Sequence, residues 1–304
     1  MKSTEITEGI SAMGSGPVFV HSDPFRAARL VKAVRDRNVY LDSHIALLRE
    51  AAGDRGLWIP TFNYDFPRTR VFDVRESESQ LGPLPERFRV ASAEWRTPVP
   101  IFSIAGIGRA SQPPWGFMTD PFGADSIFAD LVRSDGVMLY YGETFQYNTL
   151  IHYSERASGG PVYRYDKIFP GRLAMADGTS VEGSLDYHVR PMGTGLEYDW
   201  PRLLDEALAA GVCRRLESAP EILVASASKL NELWVSEMKR DPFALLDSAT
   251  RQWAEPRANE LGRRFEVSDF ERAEGQRADG HAEGQRGDAE RQTAGGHAEA
   301  QRKA

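Results

Sequence analysis

Cysteine is nearly absent from this sequence, which has a single one, Cys213, among 304 residues. One thiol excludes an internal disulfide framework and a zinc site built from paired cysteines. The His-Glu-x-x-His motif and the Asp-rich calcium loop are also missing from the sequence. We therefore expect no bound metal, and a chain independent of disulfides is typical of the cytoplasm.

Long apolar runs and an excess of basic residues are missing as well. No stretch approaches the roughly 18 consecutive apolar residues of a membrane helix, and residues 1–16 do not have the basic-then-apolar order of a signal peptide. Asp and Glu (44) outnumber Lys and Arg (37), which gives a net charge of −7. Because nucleic-acid binding needs clustered Lys and Arg, we expect a cytoplasmic protein with neither a nucleic-acid nor a membrane partner. An acidic balance tolerates a cationic small-molecule substrate.

Short apolar segments alternate with segments of helical spacing. Strands are predicted over 17–23, 56–60 and 136–142, the last being a continuous apolar run typical of a strand covered on both faces. Helices are predicted between them, over 39–52 and 125–133. This alternation predicts a layered α/β core.

The composition changes near the C-terminus. From about Glu271 the chain contains no aromatic residue and no aliphatic residue larger than Ala, and it repeats an Ala-Glu-Gly-Gln-Arg unit imperfectly. Such a segment cannot bury enough apolar surface to offset the entropy of ordering it. We predict a flexible N-terminus over 1–16, one folded domain over 17–267, and a disordered tail over 268–304. A partner-binding role for the tail is the alternative.

The most informative histidine is His152, which lies in a predicted short helix over 148–156. Residues His152 and Glu155 are spaced i and i+3, so their side chains share one face of that helix. A carboxylate beside an imidazole orients it and raises its basicity, which suits a general base. His188 follows Asp186 at a spacing that places both on one strand face, and here a structural role is the simpler interpretation. His21 ends the first strand, where either ligand binding or a structural role fits.

Five motifs occur in an order that resembles the aminoglycoside 3-N-acetyltransferase family. They are 60–62 (Pro-Thr-Phe), 81–89 (Leu-Gly-Pro-Leu-Pro-Glu-Arg-Phe-Arg), 96–103 (Arg-Thr-Pro-Val-Pro-Ile-Phe-Ser), 121–126 (Pro-Phe-Gly-Ala-Asp-Ser) and 149–155 (Thr-x-x-His-x-x-Glu). Each motif is short, but together they are specific. The resemblance spans roughly residues 16–247.

This resemblance implies a three-layer α/β/α fold around a mixed sheet. It also implies an enzyme that uses acetyl-CoA or a longer acyl-CoA as co-substrate to acylate an amine directly, without a covalent enzyme intermediate. His152 then corresponds to the base and Glu155 to its partner. Thr149 or a nearby backbone N–H would stabilise the oxyanion, and Ser22 and Ser103 would lie near the pantetheine channel.

The identity of the acceptor is left open between two kinds of amino sugar. Asn63 and Asp65 lie in the aromatic loop 62–66, which we expect at the acceptor side together with Gln146. Aminoglycoside-modifying members often have Asp at the position of Gln146, and a neutral amide weakens the case for a polycationic antibiotic. A nucleotide-linked amino sugar used in polysaccharide assembly is the alternative acceptor. A non-catalytic binding protein on the same scaffold is an alternative of another class, and a homodimer is compatible with either.

Overall fold

A seven-stranded mixed sheet forms the centre of the molecule in the computed structural model, which describes residues 2–108 and 120–271. Its strands are β1 (Val18–Ser22), β2 (Leu57–Pro60), β4 (Trp95–Arg96), β5 (Ile104–Ile107), β6 (Val137–Tyr141), β9 (Cys213–Arg215) and β10 (Ile222–Ser226). The spatial order is β4-β5-β2-β1-β6-β10-β9. Strand β1 pairs in parallel with β2 and β6, and the outer pairs are antiparallel.

Helices cover both faces of this sheet. They are α1 (Lys2–Met13), α2 (Arg37–Ala52), α3 (Phe66–Thr69), α4 (Pro83–Ala91), α5 (Ile127–Arg133), α6 (Leu150–Ala157), α7 (Trp200–Ala209), α8 (Ala227–Arg240) and α9 (Ser248–Leu261). Alternate residues of β6 enter two separate apolar cores, one with α1, α2 and α4 and the other with α5 to α9. The predicted three-layer α/β/α fold around a mixed sheet is therefore confirmed, and β6 is buried along its whole length.

The N-terminal residues differ from the flexible segment that the sequence predicts. Residues Lys2–Met13 form α1, and its Ile6 and Ile10 side chains are fully buried. They are four residues apart, so they lie on one face of the helix, which packs against α2 and β10. Two isoleucines in a polar segment are a weak sequence signal, but the sheet face beneath them provides enough apolar surface to order the helix.

A second sheet extends from the core and reaches the site described below. It contains β3 (Val71–Asp73), β7 (Tyr165–Ala174) and β8 (Ser180–Val189), in the order β3-β7-β8. Strands β7 and β8 form a long antiparallel hairpin, and Tyr165, Phe169 and Leu173 of β7 face the core. This hairpin brings the end of β8 towards α6.

The folded part of the chain continues through Glu271. The ring of Phe270 stacks on Tyr165 with centroids 5.8 Å apart, and the Glu271 carboxylate accepts a 2.6 Å hydrogen bond from the Tyr165 hydroxyl and pairs with Lys167. These contacts lie beyond residue 267, where the sequence predicts the domain to end. Residues 272–304, which make up most of the predicted tail, lie outside the described residues. None of the helices in the described ranges is both long and apolar enough to cross a membrane.

Two truncations distinguish the contribution of the tail to stability from that of the Glu271 contacts. A chain ending at Glu271 should have a free energy of unfolding within about 0.5 kcal/mol of that of the full-length protein, because the removed residues have almost no apolar surface to bury. In a chain ending at Phe270 the free energy of unfolding should be about 1–3 kcal/mol lower, because Tyr165 and Lys167 lose the partly buried Glu271 carboxylate as their acceptor. Urea unfolding of the three proteins measures both differences. Equal losses from the two truncations would contradict this boundary.

Candidate active site

Helix α6 places the two predicted catalytic side chains next to each other. The helix follows β6 and a short 3-10 turn over Phe145–Tyr147, and the Asn148 side chain accepts a 3.1 Å hydrogen bond from the Leu150 N–H at its start. His152 and Glu155 are about one helical turn apart on α6, and His152 Nδ1 lies 3.0 Å from Glu155 Oε2. The i, i+3 contact expected from the sequence is therefore present in the structure.

One carboxylate oxygen of Glu155 lies between two imidazoles. Glu155 Oε2 is 3.0 Å from His152 Nδ1 and 2.9 Å from His188 Nε2, which comes from β8. Since an ionised carboxylate only accepts hydrogen bonds, both of these nitrogens carry a proton. In neutral His152, Nε2 is therefore the nitrogen with an available lone pair. The side chains of Glu155 and His188 have no exposed area, whereas that of His152 is 24% exposed, so His152 is the member of the three that a substrate can reach.

The other oxygen of Glu155 accepts three further hydrogen bonds. Glu155 Oε1 is 2.9 Å from the Tyr163 hydroxyl, 2.7 Å from the Tyr198 hydroxyl and 3.2 Å from Arg164 Nε. Arg164 in turn donates to the Tyr198 hydroxyl at 2.7 Å. This network fixes the carboxylate in one orientation and compensates its buried charge.

The surroundings hold this network in the protonation state that a base needs. Burial lowers the pKa of His152 below its usual 6.5, although its hydrogen bond to Glu155 opposes the shift. Burial also lowers the pKa of His188 to about 3, so this residue is neutral at physiological pH. Burial alone would raise the pKa of Glu155, but the charge of Arg164 and the hydrogen bonds from both histidines hold it well below the usual range. At neutral pH the site therefore contains an ionised Glu155 and a neutral His152, whose one ring proton is on Nδ1.

The His152–Glu155–His188 group also has the residue types of a metal site, with ligand atoms all within 4.8 Å of one another. Each oxygen of Glu155 already accepts hydrogen bonds, and one of the donors is the guanidinium of Arg164. A dication at this carboxylate would stand close to that charge and would have to displace the imidazole protons. The observed arrangement is a carboxylate hydrogen-bonded to two imidazoles and a guanidinium.

Two hydroxyls of predicted site residues make few hydrogen bonds. Thr149 is predicted at the oxyanion and Ser22 near the pantetheine channel. The Thr149 backbone N–H donates to His21 Nε2 at 3.3 Å, while the Thr149 hydroxyl has only a 3.5 Å contact to the Tyr147 carbonyl. Ser22 Oγ is buried and has no hydrogen-bond partner among residues 2–108 and 120–271. The hydroxyls of Thr149 and Ser22 therefore have hydrogen-bonding capacity left, whereas the Thr149 N–H already donates to His21. Because burial lowers the pKa of His21 to about 3, this imidazole is neutral, and it contacts the start of α6.

Ser103 lies in a buried polar network. Its hydroxyl donates to the Thr61 carbonyl at 2.8 Å and accepts from Arg96 Nε at 3.1 Å, and the residue has no exposed area. Its hydrogen bonds connect the residue before β5 to the residue after β2. Contact with a pantetheine chain stays a prediction for this residue.

The side chains of Asn63 and Asp65, which are predicted at the acceptor side, bond to residues between 65 and 80. Asn63 donates to the Glu78 carbonyl at 2.9 Å and accepts from the Asp65 N–H at 3.1 Å. The Asp65 carboxylate accepts from Gln80 and pairs with Arg68, each at 2.9 Å. These bonds shape the loop after β2.

Gln146 lies in the 3-10 turn that precedes α6 and is half-buried. The turn ends two residues before the first residue of the Thr-x-x-His-x-x-Glu motif, so this side chain belongs to the same short connection as Thr149. The roles of Gln146, Asn63 and Asp65 in acceptor binding stay predictions.

Four residues that complete the site were not predicted to belong to it: His188, Tyr163, Arg164 and Tyr198. For these four residues the sequence offers one signal, the Asp186-x-His188 pattern on β8. Asp186 does not orient the His188 ring, because His188 Nδ1 has no hydrogen-bond partner within the described ranges. Glu155 orients it instead, through Nε2. Phe122 packs on the rings of His152 and His188, with centroids 5.1 Å and 5.6 Å away, and holds both in place.

Comparison with known proteins gives a family match. A family model described as aminoglycoside 3-N-acetyltransferase matches residues 43–214, which is more than half of the chain. No curated protein gives a significant match.

Several solved structures share the fold. The crystal structure of aminoglycoside acetyltransferase AAC(3)-Xa superposes with a TM-score of 0.60 at 21% identity, covering 81% of this chain and 94% of that one. A binary complex of AAC-IIIb with CoASH has a TM-score of 0.60 at 20% identity and covers 78% and 96% of the two chains. A mutant of AAC(3)-IVa in complex with apramycin has a TM-score of 0.59 at 17% identity and covers 80% and 94%.

Proposed function

Because the chain is an N-acetyltransferase that belongs to the aminoglycoside 3-N-acetyltransferase family, we propose that it transfers an acetyl group from acetyl-CoA to an amino group of an amino sugar, with His152 as the general base. One observation supports this role above all. The Nδ1 of His152 is hydrogen-bonded to buried Glu155, which leaves Nε2 of a partly exposed imidazole to accept a proton. The complex of AAC-IIIb with CoASH supports the choice of thioester.

The proposed reaction is a direct transfer between two bound substrates. The amine nitrogen attacks the thioester carbonyl carbon while His152 Nε2 removes a proton from the amine. Glu155 stabilises the resulting imidazolium through the Nδ1–H hydrogen bond. The C–S bond then breaks, the sulfur leaves as the thiolate of CoA, and the imidazolium returns its proton to that sulfur. The products are an N-acetyl amino sugar and the free thiol.

The negative charge on the thioester oxygen needs a hydrogen-bond donor during this step. We assign that role to the Thr149 hydroxyl at the start of α6, with Ser22 as a second donor close to the thioester. Support comes from the long contact of the Thr149 hydroxyl and from the buried, unpartnered Ser22 Oγ. A positioned donor of this kind is worth roughly 10²–10³ in rate.

The pH dependence of kcat reports on the base. His152 acts in its neutral form, so kcat at saturating substrates should rise with pH as the imidazole loses its proton. Since burial lowers the pKa of His152, the midpoint should lie below 6.5. Replacement of Glu155 by Gln removes an influence that raises this pKa, so the midpoint should move to still lower pH. Profiles of both proteins test this, and a midpoint that does not respond to Glu155→Gln would argue against the pair as the base.

A thiol-release assay tests the function as a whole. The purified protein is given acetyl-CoA together with either aminoglycosides or nucleotide-linked amino sugars, and the free thiol is measured against a control without amine. Release that depends on the amine supports the proposal. A folded protein that binds CoA but releases no thiol with any amino sugar would refute it.

A further inference from the structure

The open end of the β7–β8 hairpin brings three side chains to one carboxylate. Tyr163 and Arg164 directly precede β7, and His188 is the next-to-last residue of β8. The antiparallel register places the start of β7 beside the end of β8. Tyr163 and Arg164 donate to Oε1 of Glu155, whereas His188 donates to Oε2. Of these three, His188 is the one that binds the oxygen used by His152.

The two imidazoles divide the lone pairs of this oxygen. A carboxylate oxygen has two lone pairs that can each accept a hydrogen bond. His152 Nδ1 and His188 Nε2 lie 3.0 Å and 2.9 Å from Glu155 Oε2. The two rings are inclined at 74° with their centroids 5.7 Å apart, so they do not stack on each other. While His188 occupies one lone pair, the Nδ1–H of His152 is confined to the other.

His188 makes this contact without reaching substrate and without carrying a charge. Its side chain has no exposed area, and burial lowers its pKa to about 3, so the ring is neutral. Its Nδ1 has no hydrogen-bond partner in the described part of the chain, so the ring is held by its bond to Glu155 and by packing against Phe122, with centroids 5.6 Å apart. Replacing His188 by a neutral residue therefore changes no net charge in the site.

We propose that His188 is a positioning residue for the acetyl transfer, which occupies one lone pair of Glu155 Oε2 and thereby aims His152 Nε2 at the acceptor amine. This inference rests on the proposed role of His152 as the base. A second donor on the same oxygen also weakens the attraction of that oxygen for the Nδ1 proton, which lowers the proton affinity of His152. Loss of His188 should therefore have two effects, a slower reaction and a base that loses its proton at higher pH.

The pH profile of kcat measures the second effect against an unchanged set of charges. The groups that contact His152 or act on its pKa are Glu155, His188, Tyr198, Arg164 and Arg190. A substitution that replaces neutral His188 by another neutral residue leaves the charged members of this set in place. A shift of the midpoint then reports the hydrogen bond to Oε2.

Two variants remove the ring but differ in the donor. His188→Leu has no donor, whereas His188→Gln keeps an N–H group at about the reach of Nε2. His188→Leu should lower kcat on the high-pH plateau about 10-fold and raise the midpoint by roughly 0.5–1 pH unit, opposite to the shift predicted for Glu155→Gln. KM for both substrates should change less than about twofold, because His188 touches neither.

His188→Gln should recover most of what His188→Leu loses in kcat and should bring the midpoint back towards that of wild type. If the Gln variant is as slow as the Leu variant, the ring and not the hydrogen bond matters, and the inference is overturned. A midpoint in His188→Leu equal to that of wild type would overturn it as well.

A second buried histidine controls for a general loss of stability. His44 on α2 also has no exposed area, and burial lowers its pKa to about 4. One of its nitrogens contacts the Tyr141 hydroxyl, and the other has no partner among the described residues. His44→Leu should therefore destabilise the fold to a similar extent but leave the pH midpoint of kcat unchanged. An equal midpoint shift in His44→Leu and His188→Leu would count against a specific role for His188.

Nitrogen NMR of histidine-labelled wild type tests the hydrogen bond without any variant and without turnover. The His188 ring should stay neutral with its proton on Nε2 between about pH 5 and 8, whereas His152 should titrate below 6.5. A His188 proton on Nδ1, or titration of His188 near pH 6.5, would overturn the inference. Failure of the proposed function is a different result, since wild type would then release no thiol with any amine whatever the state of His188.

Discussion

Replacement of His152 by Ala should lower kcat by roughly 10²–10⁴-fold, the usual effect of removing a positioned general base. The substituted protein should still bind CoA, because the imidazole transfers a proton during the reaction and binding of CoA does not need that transfer. The side chain is partly exposed and makes a hydrogen bond to Glu155, so its loss should leave the fold intact. Steady-state kinetics and calorimetric titration with CoA measure the two quantities.

Two controls make this result specific to proton transfer. His152→Gln keeps a polar side chain next to Glu155 but cannot accept and return a proton, so it should be as slow as the Ala variant. Free imidazole in solution should restore part of the activity of His152→Ala, because it supplies the missing base. Turnover near the wild-type rate by either folded variant would remove His152 from the mechanism.

Replacement of Glu155 by Ala should have the largest effect on stability. The Glu155 carboxylate is fully buried and balances the charge of Arg164, whose side chain is 7% exposed. Breaking a buried pair from one side leaves an uncompensated charge, which costs about 3–5 kcal/mol. Tyr163 and Tyr198 also lose their acceptor. Urea unfolding at pH 7 measures the free energy of unfolding.

Comparison with a second glutamate separates this effect from loss of a surface charge. Glu182 lies on an exposed stretch of β8, and Glu182→Gln should change the free energy of unfolding by less than about 0.5 kcal/mol. Since the pKa of Glu155 is held well below its usual value, its ionised form stabilises the fold at neutral pH. That contribution is complete above the usual pKa of a glutamate and is lost as the pH falls from there through the lowered pKa of the folded state. A Glu155 variant as stable as Glu182→Gln would contradict the network.

The central pair of the site could be predicted from the sequence because it is local. His152 and Glu155 are three residues apart on one helix, and helix geometry alone brings them together. The other partners of Glu155 depend on tertiary structure. His188 arrives from a hairpin and Tyr198 from the segment before α7, 33 and 43 residues further along the chain, and no periodicity in the sequence indicates that they meet.

The acceptor loop shows a second reason why site residues are difficult to predict. Asn63 and Asp65 are polar residues in an aromatic loop, which is a common composition for a ligand-binding segment. In the structure Asn63 and Asp65 bond to Glu78 and Gln80, which lie before α4. Asn63 also accepts a hydrogen bond from the Asp65 N–H inside the loop. Short Asn and Asp side chains readily form such local hydrogen bonds. A loop of this composition is therefore compatible with ligand binding and with hydrogen bonding inside the protein, and its sequence alone does not distinguish the two roles.

The central claim is that His152 removes the proton from the acceptor amine during acetyl transfer. Single-turnover formation of the N-acetyl product, with both substrates saturating and the product detected by mass spectrometry, isolates this step from binding and product release. We predict that wild type forms the product in an amine-dependent reaction and that His152→Ala forms it roughly 10²–10⁴-fold more slowly. Equal single-turnover rates for the two proteins would contradict the account.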